Sequence, residues 1–207
     1  MTSPSDQAED LSPERLLSAY ASGIFPMADS RHGRIAWYEA DPRGILPLEA
    51  FRIPRSLRKR PEKDFHVTTD RAFPEVMRAC ATSRFPGDQT WINDLMIEAY
   101  HRLQQLGYAH SVEAWDVAGD QPRLAGGLYG VSIKGAFFGE SMFYRADDAS
   151  KVCLLALVDR LRTGGYRLLD TQMVTPLMSR FGAIEISRDD YLVRLNDALA
   201  APAAWPD

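Results

Sequence analysis

The sequence predicts an α+β fold: a mixed sheet covered by helices, preceded by a small N-terminal attachment. Three observations carry this reading. Two apolar runs, about His110 to Val117 and Leu124 to Ile133, flank Gln121-Pro122 and read as an antiparallel hairpin. An apolar run from Ile133 to Phe143, a helical stretch from Lys151 to Arg162 and a strand from Tyr166 to Gln172 form a βαβ unit, with parallel strands and a right-handed crossover expected. Residues 24–56 contain Pro26, Pro42, Pro47 and Pro54, which favour a small irregular subdomain over a regular sheet. The expected division is 1–51 for the N-terminal subdomain and 52–207 for the sheet domain.

Each element has a local cause. Ser12 is placed to cap a helix with Pro13 in its first turn, and Gly23-Ile24-Phe25-Pro26 ends it. Phe65 to Thr69 reads as a strand, and Asp70 leads into a short helix around Pro74 to Ala81. From Asn93 to Leu106, the residues Leu95, Ala99, Tyr100, Leu103 and Leu106 form one helical stripe, stopped by Gly107. In the βαβ unit, Asp147, Asp148 and Ser150 supply acids and a capping hydroxyl. Leu154, Val158 and Leu161 recur at helical spacing there, and Gly164-Gly165 closes the helix. A short helix or turn around Pro176 to Phe181 and a helix from Asp189 to Leu199 finish the chain.

Composition limits the function classes. At 207 residues, with 45% hydrophobic and 25% charged, the chain suits one soluble core or a core plus an appendage. No apolar run approaches the roughly 20 residues that span a bilayer. The acidic segment Met1 to Asp10 is unlike a signal peptide, and Cys80 and Cys153 fall in apolar helical patterns as buried free thiols, so a cytoplasmic location is expected. A net charge of −4 argues against a chain that coats nucleic acid non-specifically. Between Arg52 and Lys63, however, Arg52, Arg55, Arg58, Lys59, Arg60 and Lys63 face only Glu62. This run is either a solvated face or a surface for a phosphate backbone, and composition alone does not choose.

The chemistry concentrates in Gly139-Glu140-Ser141-Met142-Phe143 and Leu168-Leu169-Asp170-Thr171-Gln172. A strand crossing a core carries a carboxylate only where it is partnered or used, because burying an unpaired charge is costly. The βαβ connection makes these segments neighbours. Asp170 and Gln172, two apart, are expected to share one strand face, with Glu140 within reach. No histidine or cysteine spacing suggests a metal site, and no Walker or dinucleotide loop is present. Gly126-Gly127 lies inside a strand, where close packing explains it better than phosphate binding. Ser141 lacks a nucleophile-elbow context. Trp37, Tyr38 and Trp91 are core aromatics or, beside a basic run, platforms for unpaired bases.

These residues also form an ordered set. Gly23-Ile24-Phe25-Pro26, Trp37 with Asp41-Pro42-Arg43, Thr90-Trp91-Ile92, Glu98-Ala99-Tyr100-His101-Arg102-Leu103, Gly107 with His110-Ser111-Val112-Glu113, Gly126-Gly127-Leu128-Tyr129-Gly130-Val131, Gly139 to Phe143 and Asp170-Thr171-Gln172 occur in sequence. In order and spacing the chain resembles the leucyl/phenylalanyl-tRNA–protein transferase family over roughly residues 15 to 195.

The resemblance implies transfer of Leu or Phe from aminoacyl-tRNA to proteins with N-terminal Arg or Lys, marking them for N-end rule degradation. It also implies an acyl-CoA N-acetyltransferase-like sheet domain, no cofactor or metal, and a monomer that binds no membrane. By resemblance, Asp170 and Gln172 act at the reacting amine: the Gln172 carbonyl orients it, and Asp170 orients Gln172 or takes the proton. Glu140 is expected to hold the acceptor's basic side chain. Leu128, Phe137, Met142, Leu154, Leu157 and Leu169 correspond to the pocket for the transferred side chain. Trp37, Tyr38 and Trp91 correspond to the terminal-adenosine site, and the run from Arg52 to Lys63 to the acceptor-stem contact. Three alternatives stand beside this. An acyl-CoA N-acetyltransferase should carry an Arg/Gln-x-x-Gly-x-Gly/Ala loop, which is missing. A peptidoglycan aminoacyl-tRNA transferase is normally longer. A non-catalytic tRNA-binding protein has no need of Glu140, Asp170 and Gln172.

Overall fold

The computed structural model describes residues 11–54, 57, 65–82, 90–118 and 120–206. Helix α1 (Pro13–Ala21) begins as its sequence dictates, with the Ser12 hydroxyl accepting from the Arg15 amide. A two-stranded antiparallel hairpin follows, β1 (Phe25–Ala28) with β2 (Ile35–Tyr38). The remaining strands are β3 (Arg43–Ile45), β4 (Phe65–Thr69), β5 (Ala109–Asp116), β6 (Arg123–Ile133), β7 (Ala136–Tyr144), β8 (Leu168–Gln172) and β9 (Ile184–Ile186). They form one seven-stranded sheet in the order β4-β5-β6-β7-β8-β3-β9. Only β7 and β8 are parallel; the other neighbours are antiparallel. The hairpin and the parallel βαβ strands are thus where the sequence puts them.

One expectation is overturned. The proline-rich segment is not wholly outside the sheet, because β3 is inserted between β8 and β9. It fits because its residues, Arg43, Gly44 and Ile45, lie between the prolines, leaving their amides free to pair. The expected division at residues 51 and 52 therefore lies beyond a strand that the large sheet takes from the N-terminal side.

Helices cover both faces. On one side α1, α2 (Phe73–Cys80), α3 (Asp94–Gln105) and α6 (Arg188–Leu199) pack with the hairpin against Tyr129, Val131, Phe138 and Leu168. On the other, α4 (Ala149–Thr163), α5 (Pro176–Arg180) and the C-terminal segment pack against Val112, Leu128, Phe137 and Leu169. Adjacent strand residues such as Phe137 and Phe138 therefore belong to different cores, as strand alternation requires.

Two helix details differ from the sequence reading. The inward stripe of α3 is Met96, Ala99, Tyr100 and Leu103, while Leu95 and Leu106 are more than half exposed. The observed set follows i, i+3, i+4, i+7 spacing more closely. At α4 the N-cap is Asp148, with a positive φ of 68° and no side-chain cap, and Ser150 lies buried in the first turn. The glycines of β6 serve close packing: a Cβ on Gly126 would meet Ala149 of α4 at 2.7 Å. Neither cysteine forms a disulfide; Cys153 is buried and Cys80 half-buried. Among the described residues no helix is long and apolar enough to cross a membrane.

Candidate active site

Two local irregularities build the site. The register of β6 against β7 shifts between Tyr129 and Gly130, so that Tyr129 faces Ser141 and Gly130 faces Gly139. Glu140 is the extra residue of this bulge, which is how a strand re-aims a side chain. Strands β7 and β8 pair only from Ala136 with Leu168 to Phe138 with Asp170 and then diverge. Glu140, Thr171 and Gln172 stand on either side of that gap.

Asp170 is fully buried and saturated. Its Oδ1 accepts from Arg43 Nε at 3.1 Å and from the Gln172 amide at 2.8 Å; its Oδ2 accepts from Arg43 Nη2 and the Tyr191 hydroxyl, each at 2.7 Å. Arg43, 1% exposed, also donates to the Gly23 carbonyl, and its guanidinium lies over the Phe25 and Tyr191 rings at 4.8 and 4.5 Å. Burial alone would lower the Arg43 pKa, but Asp170 outweighs it and leaves the guanidinium held charged above its ordinary value.

Gln172 departs from the strand with φ 54°, and the Met173 N–H closes back by donating a hydrogen bond to the Thr171 carbonyl at 2.5 Å. That turn passes over β3, where a Cβ on Gly44 would meet Met173 backbone atoms at 2.6–2.9 Å. The Gln172 amide is satisfied with its nitrogen donating to the Gly139 and Thr171 carbonyls at 2.9 and 3.0 Å. In that orientation its carbonyl oxygen takes the position 3.4 Å from Glu140 Oε1.

Glu140 meets a tyrosine pair. The Tyr20 hydroxyl donates to Oε1 at 2.8 Å, and Tyr100 lies 3.5 Å from Oε2 and is in short contact with the Tyr20 hydroxyl. Although only half-buried by area, Glu140 is enclosed enough for desolvation to dominate. That effect, opposed by the Tyr20 hydrogen bond and increased by Asp170, moves its pKa from 4.5 to about 8. Tyr20 and Tyr100 are pushed well above the ordinary tyrosine value by burial first and Glu140 second, so both remain protonated donors.

A cavity of about 390 Å³ opens beside these groups, within the usual range of small-ligand sites. Leu128, Met142, Leu154, Leu157 and Leu169 line it, with Met173, Pro176, Leu177 and Met178 completing the apolar wall. Glu140, Ser141, Thr171 and Thr175 are its polar side chains, beside the Tyr129 hydroxyl. Phe137 stands behind the wall, fully buried and stacked on Trp205 at 5.6 Å. The Tyr129 hydroxyl and Thr171 Oγ1 are buried without a partner among the described residues, and both residues line the cavity.

The aromatic candidates cluster around the small hairpin. Trp37 pairs with Pro26 in β1 and carries the Arg15 guanidinium 5.3 Å from its ring centroid. Tyr38 stacks on Phe25, and the Trp91 carbonyl accepts from the Ala28 amide. Arg52 is exposed; Arg55, Arg58, Lys59, Arg60 and Lys63 lie outside the described residues. Sequence reasoning missed Tyr20, Tyr100, Tyr191 and the roles of Arg43 and the α5 wall. The tyrosines sit at apolar helix positions and read as core. Arg43 could have been found as a lone cation directly before an apolar Ile45-Leu46 run.

The chain is similar to known proteins over most of its length. Residues 45–196 match the family model described as leucyl/phenylalanyl-tRNA protein transferase, and residues 9–41 match the model of that protein's N-terminal domain. A leucyl/phenylalanyl-tRNA–protein transferase of Salinibacter ruber is 50% identical over 200 residues, covering 96% of this chain and 85% of the relative. The protein of the same name from Paramagnetospirillum magneticum is 53% identical over 200 residues, covering 95% and 93%. Among solved structures, L-PGS from Bacillus licheniformis is similar at TM-score 0.49 and 10% identity, over 91% of this chain and 70% of that one.

Proposed function

We propose that the chain, which belongs to the leucyl/phenylalanyl-tRNA protein transferase family, moves leucine or phenylalanine from aminoacyl-tRNA to the α-amine of proteins beginning with Arg or Lys. It acts as a cytoplasmic monomer and marks its acceptors for N-end rule degradation. The carrying observation is the apolar cavity of about 390 Å³ with Glu140 and Thr171 in its lining, where β7 and β8 stop pairing. Such a pocket accepts an aliphatic or aromatic side chain and separates similar ones by only about 1–3 kcal/mol per methylene, which suits dual specificity. The helices and mixed sheet around it are read as an N-acetyltransferase-like catalytic domain, residues 52–207, which takes β3 from the N-terminal subdomain.

The donor is an activated ester, so the chemistry needs positioning more than force. An α-amine with pKa about 7.7–8.0 is roughly one-tenth neutral at pH 7, against about 0.04% for a lysine side chain. This favours the N-terminus. Leu128, Met142, Leu154, Leu157 and Leu169 receive the transferred side chain, with Phe137 supporting the wall. Thr171 and Tyr129, with hydroxyls that lack partners among the described residues, supply hydrogen bonds to the ester and its free amino group. The Gln172 carbonyl orients the attacking amine. Asp170 fixes Gln172 through its backbone amide and is itself fixed by Arg43. Trp37, Tyr38 and Trp91 receive the terminal adenosine; Arg52, Arg55, Arg58, Lys59, Arg60 and Lys63 contact the acceptor stem. Glu140 is the carboxylate that faces the acceptor. No cofactor enters the scheme.

The test is incubation with labelled Leu-tRNA and peptides beginning Arg, Lys, Asp or Glu. Label is expected on the Arg and Lys peptides. Transfer to acidic N-termini alone, or to none, would overturn the reading.

A further inference from the structure

We propose that Trp205 sets the depth of the aminoacyl pocket by fixing Phe137 from behind, and so sets the balance between leucine and phenylalanine as transferred residues. The inference rests on the aminoacyl-transfer reading above and gives a positioning role to a segment far from the reacting groups.

The segment that follows α6 is tied to the last turn of α4 at two points. The Ala204 amide donates to the Gly164 carbonyl at 3.1 Å, and the Arg160 guanidinium donates to the Pro206 carbonyl. Trp205 lies between these anchors. Its ring stacks on His110 with centroids 4.1 Å apart and planes 6° from parallel, and on Phe137 at 5.6 Å and 20°. The Arg160 guanidinium stands over the same indole, 5.3 Å from its centroid. His110 is itself held in place. Its Nδ1 is 2.8 Å from Asp70 Oδ2, and Asp70 Oδ1 accepts from the Ser111 amide at 2.8 Å. Trp205 therefore has a rigid seat against which Phe137 is pressed.

Phe137 connects that seat to the pocket. It is fully buried and pairs with Leu169 of β8, a residue of the cavity wall. Its ring lies over Gly130 of β6, where a Cβ would collide with it. Gly130 is two residues from Leu128, another wall residue, and shares its strand face. The order outward from the cavity is Leu128 and Leu169, then Phe137, then Trp205, then Arg160. A close-packed interior transmits displacement instead of absorbing it, so with Trp205 seated Phe137 has no room to retreat. Without Trp205 the phenylalanine settles back and the wall follows. A deeper pocket gives a phenylalanine side chain more contact and leaves a void beyond leucine.

The experiment compares Trp205→Ala, Trp205→Phe and Phe137→Leu, with Trp205→Ala made also in the Phe137→Leu background. The quantity measured is kcat/KM for Phe-tRNA divided by kcat/KM for Leu-tRNA, with one Arg-initiated peptide as acceptor. Both donors meet the same preparation, so any loss of folded protein cancels from the ratio. Trp205→Ala is expected to raise the ratio by about 5-fold or more, somewhat less than one methylene is worth in an apolar pocket. Trp205→Phe keeps an aromatic ring on His110 and should return the ratio most of the way to wild type. In the Phe137→Leu background, Trp205→Ala should move it by less than about 2-fold, because the tryptophan acts through the phenylalanine. An unchanged ratio in Trp205→Ala, with both rates falling together, would make the segment merely structural and overturn the proposal. A ratio that falls, or an undiminished shift in the Phe137→Leu background, would overturn it as well. Wild-type protein that transfers neither residue would instead remove the transfer reading, and this proposal with it.

Discussion

A buried carboxylate with every acceptor site filled behaves as a strut, and Asp170 is one. Its pair with Arg43 joins the end of β8 to β3, and the same carboxylate fixes the backbone of Gln172. Removing one member of a buried pair leaves the other uncompensated and costs about 3–5 kcal/mol. Arg43→Met is therefore expected to lower the urea midpoint by that equivalent, whereas Arg43→Met with Asp170→Leu should recover much of it; a double-mutant cycle in urea measures both. Glu140 carries the opposite signature. Its pKa rises from 4.5 to about 8 on folding, chiefly through desolvation, so between those values the folded state keeps a proton that the unfolded chain has lost. The unfolded state then binds fewer protons, and this group's contribution makes stability fall as pH rises from about 4.5 to 8. Glu140→Gln is expected to flatten that fall. Unfolding free energies at a series of pH values check it, and an unchanged slope in the variant would refute it.

At the scale of elements, the site depends on strands that stop pairing. The bulge at Glu140 and the divergence of β7 from β8 open the gap, and the turn after Gln172 closes it against Gly44. Gly44→Ala puts a methyl group against the Met173 backbone, which has nowhere to yield because Gly44 pairs with both Gln172 and Glu185. The expected cost is about 1–3 kcal/mol, with a larger loss in transfer rate than in thermal stability, since the displaced turn carries Gln172. Comparing kcat with the melting temperature separates the two. The βαβ unit, the hairpin and α1 were legible in the sequence because caps, periodicity and turn residues are local signals. Strands β3 and β9 were not, because three residues have no period and exist only through partners far away in the chain. For the same reason Glu140, Asp170 and Gln172 were visible as misplaced polar residues, while Arg43 and Tyr20 became visible only once β3 and α1 were docked.

At the scale of the whole molecule, the centre belongs to both ends of the chain. Tyr20 and Arg43 come from the first quarter of the sequence, and Glu140 and Asp170 from the sheet that follows. Neither set is complete alone, so the N-terminal segment is part of the body that builds this cluster. Charge is distributed with the same economy. A chain with 28 acidic and 24 basic residues repels a polyanion on average, so tRNA must meet a local concentration of cations, and Arg52 to Lys63 holds six of them against Glu62. If this run meets the acceptor stem, each cation that displaces a counterion contributes about 0.7–0.9 to the slope of log affinity against log salt. Replacing Arg55, Arg58 and Lys59 by alanine should then weaken Leu-tRNA binding and reduce that slope by about 2–3. The rate with saturating Leu-tRNA should be preserved, because the cavity and Glu140 are untouched. Filter binding across a salt series, paired with single-turnover transfer, reads both quantities. An unchanged slope would return the run to a solvated surface and move the tRNA contact elsewhere on the molecule.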